Sequence, residues 1–369
     1  MKIGSAGAAM AAAGFGFDAA ASPEDVAQGP GYRKLGRTGM TISVISMGAM
    51  KTAEPAVFQA GFDRGINYID TARVYMGGKN EQLVGQALKG YRDKVYVATK
   101  VKPGSKDAMA RSVDESLDAL GLDYVDLLQL HNIKSGDSAL NVEYREVFAE
   151  ARKQGKTRFI GVTTHTNEVE VMNAVIDDPG KFWDTILVRH NYKSDPAVKD
   201  AIARAAQANI GVIAMKTQMG GYRTKELGDI SPHQAALKWV LQDPNVTAAI
   251  PGMLDMAQLT EALGVMEMKL TRQDCEVLER YAQAIAPYYC HGCSQCQATC
   301  PARVNIPKVN RSLMYAEGYR DLALARATYA EIPIEVSAAA CGDCAQCVAR
   351  CPHGLDIRER MSCARRILA

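Results

Sequence analysis

The chain has 369 residues, 47% of them hydrophobic, and a formal net charge of +2 from 43 basic and 41 acidic side chains. That length allows one large domain and one small one, each with a packed core. The balanced charge, with no basic cluster interleaved with aromatics, excludes recruitment of nucleic acid by electrostatics.

Residues 1–30 stand apart from the rest. Ile3 to Phe17 is rich in Ala and Gly, follows a single Lys2, and gives way to Ala19-Ala20-Ala21 and Ser22-Pro23-Glu24-Asp25. The run is too short and too glycine-rich for an integral membrane span. A weakly apolar stretch ending in small residues resembles the end of a twin-arginine export signal, whose paired arginines would precede Lys2. It implies a periplasmic protein. The competing expectation is a disordered tail on a cytoplasmic protein.

From Tyr32 to about Ala286, short apolar runs alternate with amphipathic segments. Strands are expected at Ser43–Met47, Asn67–Asp70, Val95–Lys100, Val125–His131, Arg158–Thr163, Thr185–Arg189, Gly211–Lys216 and Thr247–Ile250. These runs are rich in β-branched and aromatic residues and too short for independent helices. Helices are expected between them, among others at Asn80–Lys89, Lys106–Leu120, Val142–Gln154, Pro196–Ala208 and Pro232–Gln242. Ser231 or Pro232 starts one, and Gly121 and Gly155 stop others. Eight strand–helix units over residues 31–286 predict a (β/α)8 barrel. A doubly wound open sheet is the alternative, but no Gly-x-Gly-x-x-Gly turn follows an early strand. Asp70, Lys100, His131 and Lys216 close strands two, three, four and seven, the ends at which a barrel carries its active site.

Residues 287–369 hold nine of the ten cysteines, eight of them in two copies of one pattern. The first is Cys290, Cys293, Cys296 and Cys300-Pro301; the second is Cys341, Cys344, Cys347 and Cys351-Pro352. Three thiolates at three-residue steps wrap one face of a cubane, and the Cys before proline is free to serve the neighbouring cluster. The spacing predicts two [4Fe–4S] clusters. Cys290, Cys293, Cys296 and Cys351 would hold one; Cys341, Cys344, Cys347 and Cys300 would hold the other. Zinc would call for paired Cys-x-x-Cys units, and disulfides between such close cysteines would close strained loops. Cys275 and Cys363 fall outside the pattern and suit small buried sites. Val304 to Glu335, between the copies, reads as helical and punctuated by Pro307 and Pro333, and Ala284–Pro287 is the expected joint to the barrel.

Several motifs of the central region carry a resemblance. Leu35-Gly36-Arg37-Thr38-Gly39, Gly65-Ile66-Asn67-Tyr68-Ile69-Asp70-Thr71-Ala72-Arg73-Val74-Tyr75, Gly78-Lys79-Asn80-Glu81, Ala98-Thr99-Lys100, Asp126 to His131 and Ile250-Pro251-Gly252 resemble an aldo-keto reductase, in the right order along the chain. The C-terminal part resembles the helical two-cluster ferredoxin-like domain appended to some members. The resemblance implies a catalytic tetrad of Asp70, Tyr75, Lys100 and His131 acting on a small carbonyl or alcohol. Tyr75 would be the acid or base, and Lys100, held by Asp70, would lower its pKa from the free value of about 10. His131 would orient the carbonyl and meet its developing charge.

The resemblance also implies NAD(P)H, held by Thr163, His165, Asn191, Lys216 and Gly252, with Arg223 as a second cation for the pyrophosphate. The chain departs from the family here. Thr163-Thr164-His165-Thr166 stands where Ser-Asn is common, Leu187 where glutamine is, and His190 where tyrosine is. Met253 to Ala262 offers no cation for a ribose phosphate. No flavin motif converts between hydride and single electrons. A second reading is therefore an electron-transfer or partner-binding protein with a silent barrel. Either reading allows a redox partner protein. Lys51, Arg73, Arg189 and Lys216 would favour an acidic substrate.

Overall fold

A computed structural model describes residues 31–222, 230–342, 344 and 346–369. The signal-like segment and Arg223 lie outside the described residues. A hairpin of β1 (Tyr32–Lys34) and β2 (Thr41–Ser43) precedes eight parallel strands. These are β3 (Met47–Gly48), β4 (Tyr68–Asp70), β5 (Tyr96–Val101), β6 (Val125–Leu130), β7 (Thr157–Thr164), β8 (Thr185–Arg189), β9 (Gly211–Met215) and β10 (Ala248–Ala249), each paired with the next. Bridges from Ile45 to Ala249 and from Gly48 to Gly252 close the sheet on itself. The expected barrel is present.

The strand expected at Ser43–Met47 is divided. Ser43 ends the hairpin, and β3 begins only at Met47. Both pieces are apolar, so hydrophobicity alone could not separate them. The helices Lys106–Leu120, Val142–Lys153, Pro196–Gln207 and Pro232–Leu241 agree with expectation to within a residue at each end. Side-chain oxygens of Ser105, Asn141, Asp195 and Ser231 cap their N-termini, which is why these polar residues mark the starts.

The period-two alternation of the strands sorts the barrel interior into layers. Tyr68, Tyr96, Leu127, Leu187 and Ile213 point inward near the base, where Leu35, Met40 and Ile42 of the hairpin plug the barrel. Further along the same inward phase, two residues past Tyr68 and Leu127 and four past Tyr96, Asp70, Gln129 and Lys100 take the positions above that apolar plug. Their outward neighbours Ile69, Val101, Leu128 and Leu130 pack beneath the helices.

Helix Arg272–Ile285 ends the barrel, and the chain then enters a small helical unit of Ile306–Glu317, Leu322–Ala330 and Ile357–Ile367. Its core is Val304, Ile306, Val309, Leu313, Tyr329, Leu355, Ile357 and Met361. Arg360 ties two of the helices, donating to both carboxylate oxygens of Glu317 at 2.8 Å and to Asn310 at 3.0 Å. The unit sits on the barrel mouth. Asn191 bonds the hydroxyl of Tyr289 at 3.0 Å, and Lys51 donates to the carbonyl of Tyr319 at 3.1 Å.

Backbones meet directly at Gly318, where a Cβ would lie 2.2 Å from the carbonyl oxygen of Gly220. Gly318→Ala must therefore push the two units apart, at about 1–3 kcal/mol for an overpacked contact. Hydrogen exchange should rise in residues 314–321 and 215–222 and stay unchanged in the barrel base. Unaltered protection of both segments would show that this contact does not hold the tail.

Candidate active site and cysteine centres

Strand register brings the inward polar layer together: Asp70 pairs with Ala98 across β4 and β5, and Lys100 with Gln129 across β5 and β6. The Lys100 ammonium, 1% exposed, forms an ion pair with Asp70 and donates to the carbonyl of Thr71 at 2.7 Å and to the Tyr75 hydroxyl at 3.3 Å. Burial works against its charge, but Asp70 and Tyr75 outweigh it and its pKa is raised. Gln129 donates to the other Asp70 oxygen at 2.8 Å. Sequence reasoning missed Gln129; its signal is the polar residue on the inward phase of an otherwise apolar strand.

Tyr75 and His131 meet edge to face, with ring centroids 5.8 Å apart. The four residues implied by the resemblance thus share one site. The Tyr75 hydroxyl does not match the expected lowered pKa. Burial pushes it up more than the Lys100 ammonium pulls it down, so the phenol is protonated well above neutral pH. Burial and the charges of Lys100, Lys102, Arg311 and Lys216 hold His131 neutral.

Two cavities open from Tyr75. One, about 380 Å³, runs past Leu187, Met215 and Lys216 to Gly252, Gln258 and Glu261. The other, about 1000 Å³, lies between barrel and tail and is lined by Tyr75, His131, Lys134, Arg311, Tyr315 and Glu331, among others. His165 lines both, neutral through burial and the charges of Arg311 and Lys216, and Asn132 accepts a hydrogen bond from its Nδ1 at 3.0 Å.

Lys216 lies between the rings of Tyr315 and Tyr319, 5.2 and 5.3 Å from their centroids. Thr163 and Asn191 face neither cavity. Thr163 accepts from the Asn132 backbone N–H at 2.7 Å, and Asn191 joins Tyr289 to the Lys216 carbonyl. His190 packs against Trp239, with centroids 5.2 Å apart. Of the cations expected to favour acids, Lys51 and Lys216 line the cavities. Arg73 and Arg189 are instead paired, each at 2.6 Å, with Glu81 and Glu168.

The thiols gather across the two copies of the cysteine pattern. Burial and then the neighbouring thiols of Cys290, Cys351 and Cys293 push Cys296 up to about 12. Burial raises Cys341 too, with Cys347, Cys300 and Cys344 adding to it. Each group contains three cysteines of one copy and the fourth of the other. Among the described residues no three His, Cys, Asp or Glu side chains close around a single ion. Four thiols per gathering, three from one copy and one from the other, are a donor set that suits a [4Fe–4S] cluster. Cys275 and Cys363 belong to neither gathering.

An aldo/keto reductase family model matches residues 48–229 and 224–282, and a 4Fe-4S dicluster domain model matches residues 289–355. The chain is 28% identical over 302 residues to an L-galactose dehydrogenase of Arabidopsis thaliana, covering 69% of this chain and 94% of that protein. It is 29% identical over 251 residues to a methylglyoxal reductase of Escherichia coli, covering 63% and 85%. An aldo-keto reductase from Klebsiella pneumoniae in complex with NADPH superposes with a TM-score of 0.57 at 26% identity, covering 68% of this chain and 94% of that one. Among the described residues no helix is long and apolar enough to cross a membrane.

The Lys100–Asp70 pair makes an energetic prediction. Asp70→Ala strands a buried ammonium and should cost about 3–5 kcal/mol, whereas adding Lys100→Met should restore most of it. Anaerobic denaturant unfolding, followed by the buried Trp183, measures both; additive losses would sink the pairing.

Proposed function

The chain belongs to the aldo/keto reductase family, and from that premise we infer that it interconverts a small carbonyl compound and its alcohol with Tyr75 as the acid or base. The observation that carries this reading is the Lys100 ammonium bonded to both Asp70 and the Tyr75 hydroxyl, which lines both cavities. NAD(P)H in the smaller cavity, beside His165, Lys216 and Gly252, would supply the hydride to carbonyl carbon. Tyr75 delivers its hydroxyl proton to the carbonyl oxygen. Lys100 stabilises the phenolate left behind, and Asp70 keeps Lys100 charged and aimed. Neutral His131 orients the oxygen. In the reverse direction the Tyr75 phenolate takes the alcohol proton.

Among the described residues, the cavity end formed by Met253, Leu254, Gln258 and Glu261 presents a carboxylate and no cation. That arrangement favours NADH over a cofactor with a ribose phosphate. The two clusters, held by the crossed cysteine sets, would supply one-electron transfer between the barrel and a redox partner protein. Cys290 lines a small space with His165, Arg189 and Lys216, which makes its cluster the nearer to the active site. The silent-barrel reading draws support from Leu187, which puts an aliphatic side chain where an amide is common in the family.

Tyr75→Phe should lower kcat about 10²–10⁴-fold in steady-state assays of cluster-loaded protein. Because its phenol is raised, carbonyl reduction should be level through neutral pH and fall only in strong alkali, while alcohol oxidation rises with pH. Fluorescence titration should show NADH binding at least as tightly as NADPH; binding of neither leaves the electron carrier. For the clusters, Cys351→Ala should produce the same loss of iron and EPR signal as Cys290→Ala, and Cys300→Ala the same as Cys341→Ala. Losses that pair within each copy instead would overturn the crossed sets.

A further inference from the structure

The larger cavity has a charge pattern of its own. Its lining contributes five cations (Lys51, Lys102, Lys134, Lys308 and Arg311) against two carboxylates, Asp321 and Glu331. His131 and His165 add no charge, since both are held neutral. Lys51 lies 4.0 Å from Asp321, and Lys102 and Lys308 share Glu331 at 3.4 and 3.1 Å. Both carboxylates are then engaged. Among the described residues, neither Lys134 nor Arg311 has a carboxylate within ion-pair distance.

Arg311 is half-buried on helix Ile306–Glu317 of the tail, on the face shared with Pro307 and Tyr315 at four-residue spacing. Its charge reaches the catalytic floor, where it depresses His131 and His165 and lowers the Tyr315 phenol together with Lys216. A half-buried guanidinium among like charges is compensated by an incoming anion. Its planar fork suits a carboxylate held bidentately.

We propose that Arg311, assisted by Lys134, binds the anionic group of a carbonyl substrate whose C=O faces Tyr75 and His131. The proposal rests on the carbonyl-reductase reading and makes the iron–sulfur tail part of the substrate site.

The test is equilibrium binding to anaerobic, cluster-loaded full chain by calorimetry, so that it does not depend on turnover. The probes are 4-carboxybenzaldehyde, its neutral methyl ester, and NADH. The acid should bind wild type more tightly than the ester, and Arg311→Gln should weaken the acid about ten- to a hundred-fold while sparing the ester. Arg311→Lys should recover part of the loss. Lys134→Gln, at an exposed position, should weaken the acid several-fold and carries the same test if Arg311→Gln does not fold. NADH affinity should be unchanged in every variant. Equal affinity for acid and ester in wild type, or loss of NADH rather than acid binding in Arg311→Gln, overturns the proposal; the latter assigns the cation to the cofactor. Arg311-dependent binding of the acid without any turnover sinks the reductase reading and leaves the anion site standing.

Discussion

A lysine ammonium sealed inside the upper layer of an apolar barrel is the constraint on which the site depends. Lys100 is buried above the apolar plug, out of reach of water, and desolvation opposes its charge. Asp70, the Thr71 carbonyl and the Tyr75 hydroxyl supply what water would have supplied. Gln129 then holds the second Asp70 oxygen. Each of these groups is fixed by the next, and the chain of contacts ends at the Tyr75 hydroxyl, which faces both cavities. The arrangement stabilises little by itself, because a buried ion pair rarely outperforms aliphatic packing of the same volume. What it does is pre-orient a cation beside a phenol.

The tail extends this logic across a domain boundary. Lys216 leaves β9 with a left-handed backbone, φ 57°, which turns the chain toward the tail. There the side chain enters between Tyr315 and Tyr319, so an ammonium is stabilised by two aromatic faces. Close backbone approach at Gly220 and Gly318 lets the rings come that near. The active-site mouth is consequently not an open rim of barrel loops. It is a cavity with one wall from each domain, and its electrostatics are set as much by helix Ile306–Glu317 as by the strand ends.

Most of the fold was legible in the sequence because its signals are local. Strand periodicity, capping residues and two evenly stepped cysteine runs each declare themselves within a few residues, and the barrel and the helical tail followed from them. The gathering of Asp70, Lys100 and His131 was legible for a related reason: all three sit at strand ends. What escaped was non-local. Gln129 is one polar residue in an apolar strand until the register places it beside Asp70. Arg311 and Tyr319 lie far along the chain from Tyr75, and nothing in their neighbourhoods marks them as cavity residues. Thr163 and Asn191 are the converse case. Their positions suit a nicotinamide contact, but the structure commits their polar groups to the backbone of Asn132 and to Lys216 and Tyr289. The expected low pKa of Tyr75 failed on magnitude, since desolvation of the phenol exceeds the pull of the Lys100 and Lys216 ammoniums.

The crossed gathering of thiols has a mechanical consequence for the site. Cys296 and Cys351 belong to different copies of the motif yet share one group, as do Cys300 and Cys341. The segment between the copies includes helices Ile306–Glu317 and Leu322–Ala330, so ligation at either group fixes both of its ends. Closing such a loop removes conformational freedom chiefly from the open ensemble. The residues so confined include Arg311, Tyr315 and Tyr319, the ones that wall the cavity and flank Lys216. Assembly of clusters at these thiols and formation of the larger cavity would then be one ordering event, even if no electron ever passes between them. A staple and a relay are therefore not competing roles for the tail, because the contact that would carry electrons toward His165 is the same contact that shapes the site.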